Sequence, residues 1–326
     1  MEKHYQTLLN ELGSMARTNV VLAQYTTLKI GGPADIFYEA KNRDQLITAV
    51  RLANLYQIPF FLLGGGSNIL VGDKGIRGLV IKNATKDITV RGVKGRYEHG
   101  EATGVVYVEA DSGVIFNSFV RFTVEEGYQG IEMHLGLPGT VGGAVYMNSK
   151  WTHPAGAVGD VVHQATLLDS EGKEKTVPHS YFQFAYDSSI LQKTKETVLG
   201  VTFAFTRCPK EVLWQKANES IAYRRSTQPQ GVFSPGCTFQ NISQYQSLTI
   251  PTPGNTTSAG FLIDQCGLKG FTVGKAQVSP IHANFIVNLG GATALDVVSL
   301  IKEIKQRVFE KYHVQLHEEI AKVGEF

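Results

Sequence analysis

Cysteine and long apolar runs are scarce in this chain, and each scarcity excludes a class of protein. The three cysteines, Cys208, Cys237 and Cys266, stand far apart without metal-ligand spacing, so we expect reduced thiols and no bound metal. No apolar run approaches the length that spans a bilayer, and residues 1–12 are too polar for a signal peptide. These features predict a cytoplasmic protein without a membrane partner.

An excess of charge of either sign is also absent. The 31 basic and 29 acidic residues leave a formal net charge of +2, and no long basic run is present, so we expect no nucleic-acid partner. The length of 326 residues, of which 43% are hydrophobic, exceeds the size at which one hydrophobic core keeps growing. The chain therefore predicts an ordinary globular protein with two or three domains.

Glycine is abundant in two loops. The run Leu63–Val71 places a glycine triplet directly after an apolar segment, followed by Ser67 and Asn68. Glycine has no side chain to block a ligand, and successive peptide N–H groups in such a loop can converge on an anion. A second glycine-rich loop, Leu135–Ala144, follows about seventy residues later. Two such loops predict a cradle for a long, doubly phosphorylated ligand such as a flavin dinucleotide, and neither matches a Rossmann or P-loop fingerprint.

The hydrophobic pattern places these loops in a regular framework. A strand at 34–40, a helix with Leu46, Val50 and Ala53 on one face, and a strand at 59–63 form a β-α-β unit that leads into the first loop. Further strands are predicted at 78–81, 106–110, 165–169 and 197–205, with a helix at 114–126. A proline-marked break at 206–209 indicates a domain boundary. A last helix begins near Thr293, with Asp296 as a capping-box partner.

The chain resembles the MurB family of UDP-N-acetylenolpyruvoylglucosamine reductases. The resemblance rests on the two glycine loops and on four further phrases, in the family's order from about Val21 to the carboxyl end. These phrases are Tyr25–Asp35, Gly236–Asn241, Ala259–Gly270 and Ala276–Asn288. The interval between Tyr186 and Phe205 is short, which is typical of the family's smaller type without an extra substrate loop.

The resemblance implies an α+β fold. It consists of a two-part FAD-binding domain of the vanillyl-alcohol-oxidase type, followed by a MurB-type C-terminal substrate domain. On this basis we expect an N-terminal helical extension over 1–20, an FAD-binding domain over 21–206 with lobes at about 21–82 and 83–206, and a substrate domain over 207–326. Non-covalent FAD, NADPH as co-substrate, a UDP-sugar substrate and a monomeric state are implied with it.

The implied chemistry is the reduction of UDP-N-acetylglucosamine enolpyruvate to UDP-N-acetylmuramate, a step of peptidoglycan precursor synthesis. Hydride reaches C3 of the enolpyruvyl group from the flavin, and C2 must then receive a proton. The family's usual proton donor is a serine, where this chain has Cys237. A thiol with a reference pKa of about 8.5 is mostly protonated at neutral pH and can donate. Glu319 matches the family's terminal catalytic glutamate, while Glu318 is one register off.

Further site residues follow from the same matches. We expect Tyr186, Asn241 and Gln277 to contact substrate and His282 to be a hydrogen-bonded structural residue. The expected cofactor-binding residues are Gly64, Gly65, Gly66, Ser67, Asn68, Ile69, Leu70, Gly136, Pro138, Gly139, Thr140, Gly142, Gly143, Ala144 and Arg225.

Two positions depart from the family pattern. Asp187 occupies the place of an arginine that faces the reacting carboxylate, and Gln240 replaces a usual lysine. An aspartate would repel a carboxylate, so we expect its side chain to face away and to bond locally, to Ser188 or Ser189. Another cation must then serve, and Arg224 and Arg225 are the nearest candidates by motif.

Two alternatives stay open. A flavin oxidase of the same fold would share the FAD domain, although no histidine or cysteine for covalent attachment lies between Leu62 and Asp73. A catalytically altered flavin- or nucleotide-binding paralogue is the other, because of Asp187.

Overall fold

The computed structural model describes residues 2–98, 101–152, 155–250 and 252–326, so part of the predicted lobe 83–206 lies outside the described residues. The helices are α1 Glu2–Leu12, α2 Arg43–Leu55, α3 Phe116–Glu125, α4 Val141–Met147, α5 Leu191–Thr194, α6 Lys210–Thr227, α7 Gln244–Thr249, α8 Ala259–Gln265 and α9 Ala294–Tyr312. None of these helices is both long and apolar enough to cross a membrane.

The strands occupy all parts of the chain and confirm the mixed α+β class. They are β1 Ala16–Val21, β2 Pro33–Ala40, β3 Phe60–Leu63, β4 Ile69–Val71, β5 Ile76–Asn83, β6 Ile88–Glu98, β7 Glu101–Asp111, β8 Tyr128–Gln129, β9 Lys150–Thr152, β10 Ala155–Ala157, β11 Val162–Leu168, β12 Glu174–Pro178, β13 Thr197–Arg207, β14 Thr272–Val273, β15 Ala276–Val278, β16 Ile286–Asn288 and β17 Ala321–Val323. Every strand and helix predicted from the hydrophobic pattern is present, within a few residues of its predicted bounds.

The described residues divide into two compact units. The first unit comprises 2–18, 36–65 and 78–224, and the second comprises Asn19–Asp35, Gly66–Arg77 and Arg225–Phe326. This division differs from the predicted boundary at 206/207, because α6 packs Leu213 and Ala217 into a core of the first unit. The predicted N-terminal extension is also helical only in part, since β1 follows α1.

Two sheets organise the first unit. A four-stranded sheet has the order β1-β2-β5-β3, and a larger antiparallel sheet has the order β12-β11-β13-β7-β6 with β8 beside β13. In the first sheet β3 and β5 run parallel, with Leu63 opposite Lys82. Helix α2 begins where the Asn42 side chain accepts from the N–H of Gln45, and it buries Leu46, Val50 and Ala53. The β-α-β prediction is therefore confirmed.

The second unit is organised around α9 and the sheet β14-β15-β16. Thr293 and Asp296 form the predicted reciprocal capping box at the start of α9. Asp73, which follows the first glycine loop in sequence, accepts from the N–H groups of Ala294 and Leu295 at 2.7 and 3.1 Å. The segment that continues from the first glycine loop is thereby fixed to the longest helix of this unit.

Candidate functional site

The two glycine loops touch each other within the first unit. A Cβ atom on Gly65 would lie 2.6 Å from the Cα of Gly139, and one on Gly64 would lie 2.7 Å from Thr140 Oγ1. Real Cβ atoms do not approach other heavy atoms so closely, so a side chain at Gly65 would push the loops apart, and one at Gly64 would displace the Thr140 side chain. The pair therefore forms one surface lined by backbone, which fits a long phosphorylated ligand such as FAD.

The backbone donors of the two loops differ. In the described part of the chain, the N–H groups of residues 65–68 donate to no protein acceptor. In the second loop, the N–H of Gly142 donates to Ser112 O at 2.8 Å and that of Gly143 to Thr140 Oγ1 at 3.4 Å. The first loop thus has N–H groups to offer an anion. The predicted residues Gly142 and Gly143 use theirs to begin α4.

A buried polar network holds the second loop. Asn83, at the end of β5, donates its side-chain amide to Ser112 Oγ at 2.8 Å, and Ser112 Oγ donates to Val198 O at 2.5 Å. Both of these contacts lie in the interior, where an unmatched polar group is costly. Since Ser112 O also accepts from Gly142, the network fixes the position at which α4 starts.

Lys82, the residue before Asn83, holds the first loop in the same way. Its ammonium donates a hydrogen bond to Gly64 O at 2.5 Å. Burial lowers the pKa of Lys82, and the charge of Glu39 opposes that shift only in part. Sequence reasoning missed Lys82, because a lysine in a strand ordinarily indicates a solvated edge.

In the second unit, the two predicted catalytic residues lie on neighbouring backbone segments. The segment of Cys237 forms a bridge with Phe285, and its next residue, Thr238, accepts from the N–H of Glu319 at 2.8 Å. Within the described residues Cys237 forms no disulfide, and it is half-buried. The structure therefore places the backbone segments of the candidate proton donor and the terminal glutamate side by side.

Side-chain amides hold these segments in place. Asn284, which is 3% exposed, accepts from the N–H of Phe239 at 2.9 Å and donates to Phe239 O at 2.8 Å. Asn68 donates its side-chain amide to Glu319 O at 3.1 Å, and Asn68 O accepts from Ala321. The phrase around Asn284 contributed to the family match, but its role as a clamp was not predicted.

The two adjacent glutamates have different environments. Burial raises the pKa of Glu318, but hydrogen bonds from Lys305 and Lys322 outweigh burial and hold that pKa below its usual value. Glu318 is therefore a carboxylate paired with two lysines. Glu319 remains the predicted catalytic glutamate.

Asp187 has a partner that the sequence analysis did not identify. One carboxylate oxygen lies 2.5 Å from the Nζ of Lys150, and the aspartate side chain is only 4% exposed. The same ammonium lies 3.4 Å from the ring centroid of Tyr186. The expected bond to Ser188 or Ser189 was wrong: in the described contacts, Asp187 pairs with a residue 37 positions away, and Ser189 donates to Tyr146 O.

The turn that carries Asp187 explains its residue type. Asp187 has a φ of +50° between Ala185 and Ser188, which exchange backbone hydrogen bonds. Aspartate tolerates this left-handed region better than most residues. Asn148, two residues before Lys150, donates to Ala185 O at 3.0 Å. The turn and the start of β9 are therefore held together.

The remaining predicted residues occupy varied positions. Asn241 accepts from the N–H of Ala259, Gln277 donates to Gly270 O, and Leu70 is fully buried in the second unit's core. His282 accepts from the N–H of Asn284, which confirms a hydrogen-bonded histidine, and burial lowers its pKa. Arg224, one of the two arginines considered as the substitute cation, places its guanidinium 3.8 Å from the ring centroid of Trp151.

Comparison with known proteins gives the class first. A family model for an FAD binding domain matches residues 34–177. A VAO-type flavoprotein from Myceliophthora thermophila C1 superposes with a TM-score of 0.54 over 94% of this chain and 85% of that chain, at 9% identity, a likeness of fold alone. The class is thus a protein with an FAD-binding domain, whose fold is like that of a VAO-type flavoprotein.

Full-length relatives narrow the class. The model for the C-terminal domain of UDP-N-acetylenolpyruvoylglucosamine reductase matches residues 228–323. Reductases of that name from Anoxybacillus flavithermus and Bacillus subtilis are 36% and 34% identical over 99% of both chains. The crystal structure of UDP-N-acetylenolpyruvylglucosamine reductase (MurB) from Thermus caldophilus is 31% identical, with a TM-score of 0.74 over 94% of this chain and 99% of that chain. This chain belongs to the MurB family of FAD-dependent oxidoreductases.

The contact between the loops leads to a prediction for Gly65→Ala. The added methyl group meets backbone that cannot rotate away, so the free energy of unfolding of the FAD-free protein should fall by about 1 to 3 kcal/mol, the usual cost of overpacking. Chemical unfolding measures this change. Gly143→Ala is the matched control, because its Cβ would meet only Thr140 Oγ1, at 3.6 Å, and its stability should be unchanged or slightly higher. Equal stability of the two variants would contradict the proposed contact.

Proposed function

We propose that this protein reduces UDP-N-acetylglucosamine enolpyruvate to UDP-N-acetylmuramate, with NADPH as the electron source. Membership of the family supports this activity, and one observation carries it for this chain. The backbone N–H of Glu319 donates to Thr238 O, so the two residues lie on neighbouring segments, which supports their assignment as the acid-base pair. A reduction across a carbon-carbon double bond needs a positioned proton donor as well as a hydride.

The residues divide the chemistry between them. When bound, FAD relays an electron pair from NADPH to the enolpyruvyl group. Cys237 donates the proton to C2, and Glu319 is the second acid-base group of that segment. We assign Tyr186, Asn241 and Gln277 to substrate binding. The two glycine loops and Arg225 are assigned to the cofactor, with the FAD-binding role in 21–206 and the substrate role in 207–326.

Lys150 is the cation that takes the place of the family's arginine, whose position Asp187 occupies in this chain. The substrate carries a carboxylate on which charge accumulates during the reduction, and a fixed ammonium stabilises such charge. The buried carboxylate of Asp187 and the ring of Tyr186 hold the Lys150 ammonium in one place. Asp187 is thus a positioning residue for Lys150 and does not itself face the substrate carboxylate.

The setting of this activity follows from the same assignment. We propose a cytoplasmic monomer whose partners are the UDP-sugar and NADPH. The near-neutral net charge of +2 supports a protein that binds neither nucleic acid nor a membrane surface.

The first prediction concerns the activity itself. The purified protein should be yellow, release FAD on denaturation, and oxidise NADPH only when UDP-N-acetylglucosamine enolpyruvate is present. Absorbance of NADPH with and without the sugar measures this dependence. Bound FAD without substrate-dependent oxidation would instead favour the altered paralogue, and oxidation of a sugar or alcohol by O₂ would favour the oxidase.

The second prediction separates the half-reactions through Cys237. Cys237→Ala should bind FAD and be reduced by NADPH at a near-normal rate, because that step needs no proton at C2. Its reoxidation by substrate should be at least about a hundredfold slower, the usual scale for a lost general acid. Cys237→Ser should keep much of the activity. Stopped-flow spectroscopy follows both steps, and a parental reoxidation rate in the alanine variant would show that Cys237 only packs.

The third prediction tests the pair Lys150 and Asp187. Lys150→Met should slow reoxidation by about a hundredfold or more, the scale for one lost stabilising group, with normal flavin reduction. Asp187→Asn keeps an acceptor for the ammonium and should change the rate by less than about tenfold, or 1.4 kcal/mol in the barrier.

Lys150→Met alone leaves the buried carboxylate of Asp187 unpaired, which could itself disturb the site. The double variant Lys150→Met with Asp187→Asn removes that charge and is therefore the control. If Lys150 stabilises the substrate, the double variant remains slow. Recovery of the parental rate would show that the defect came from Asp187, and the assignment of Lys150 would be abandoned.

A further inference from the structure

Lys82 is a partly buried cation of the first unit, and it contacts the first glycine of the first glycine loop. It is the penultimate residue of β5 and lies opposite Leu63, the last residue of β3. From there its Nζ reaches the carbonyl oxygen of Gly64, at 2.5 Å. The ammonium therefore holds the first peptide group of the loop.

The charge of Lys82 lacks a close carboxylate. Among the described residues, no acidic side chain lies within salt-bridge distance of its Nζ, and Glu39 on β2 is the ionisable group whose charge acts on it. Burial lowers the pKa of Lys82 despite Glu39. Partial burial of a cation without an ionic partner carries a desolvation cost. A neutral amide could also donate to this carbonyl, so the hydrogen bond to Gly64 O does not by itself account for a positive charge at this position.

The surroundings of the loop provide that explanation. The chain matches an FAD binding domain over 34–177, and FAD carries a doubly charged pyrophosphate. The N–H groups that follow Gly64 donate to no protein acceptor within the described residues. A pyrophosphate at this loop would lie close to the ammonium in a region of low dielectric, where their attraction is strong.

We propose that Lys82 is the partly buried counter-charge to the pyrophosphate of FAD and that it positions the Gly64 peptide for cofactor binding. The assignment depends on FAD binding by the family fold. It does not depend on the identity of the sugar substrate, so it can fail while the proposed reduction stands.

The experiment measures FAD binding to the FAD-free protein by calorimetry, with no NADPH or sugar present. Lys82→Gln keeps a donor for Gly64 O but removes the charge, and should weaken FAD about 10- to 100-fold, as expected for a lost charged partner. The unfolding temperature of FAD-free Lys82→Gln should be unchanged or higher, because an unpaired buried charge has been removed. Lys82→Arg should bind FAD within about threefold of the parent, since it keeps the charge.

Lys86→Gln is the matched control, because Lys86 is an exposed lysine three residues after the end of β5. It makes the same charge change and should leave FAD affinity unaltered. Parental FAD affinity in Lys82→Gln overturns the proposal. So does a Lys82→Gln protein whose FAD-free form is less stable in proportion to its lost affinity, because Lys82 would then serve the fold alone.

Proton uptake distinguishes charge from geometry. An anion raises the pKa of Lys82 above its lowered value in the free protein, so FAD binding should take up protons between those two pKa values, and affinity should fall as pH rises through the lower one. Titrations in two buffers of different ionisation enthalpy, from about pH 7 to about pH 10, cover the range below the reference lysine pKa of about 10.4. Lys82→Arg should lose this uptake while keeping its affinity. Identical uptake in parent and Lys82→Arg would refute a counter-charge at Lys82.

Discussion

The close approach of Gly65 to Gly139 is the constraint on which the flavin site depends. At that distance two backbones meet with no room for a side chain, so each loop serves as a wall for the other. Two consecutive residues of β5 then hold the pair: Lys82 bonds to Gly64 O, and Asn83 bonds to Ser112, whose carbonyl accepts from the start of α4. A single strand end thereby sets the separation of two loops that lie about seventy residues apart in sequence.

The second unit positions its chemistry by another means. Cys237 and Glu319 lie on short segments outside the regular strands, where secondary structure alone would not fix them. Side-chain amides replace the missing ladder: Asn284 bonds to both backbone groups of Phe239, and Asn68 bonds to Glu319 O. A buried amide such as that of Asn284, with its oxygen and nitrogen both bonded, specifies one arrangement. The loops of the first unit are thus positioned by glycines that lack side chains, whereas the segments of the second unit are positioned by the side-chain amides of Asn284 and Asn68.

Local order was predictable from the sequence, and long-range pairing was not. The β-α-β unit and the capping box of Thr293 and Asp296 follow from spacings of a few residues, and the structure confirms them. The glycine loops were predictable as loops, but their mutual contact depends on tertiary packing. Asp187 shows the limit most plainly. Its neighbours Ser188 and Ser189 were the expected partners, whereas its partner Lys150 lies at the start of strand β9. No periodicity relates those two positions.

Strand β17 pairs in parallel with β4, with Ala321 opposite Ile69. The hydrogen bond between Asn68 and Glu319 in the same region joins residues 251 positions apart. Contacts of such high sequence separation raise the contact order of the chain, which slows folding. This distant pairing is what joins the segment of the glutamate to the segment after the glycine loop. A change that loosens β17 from β4 would therefore also release the segment that carries the acid-base group.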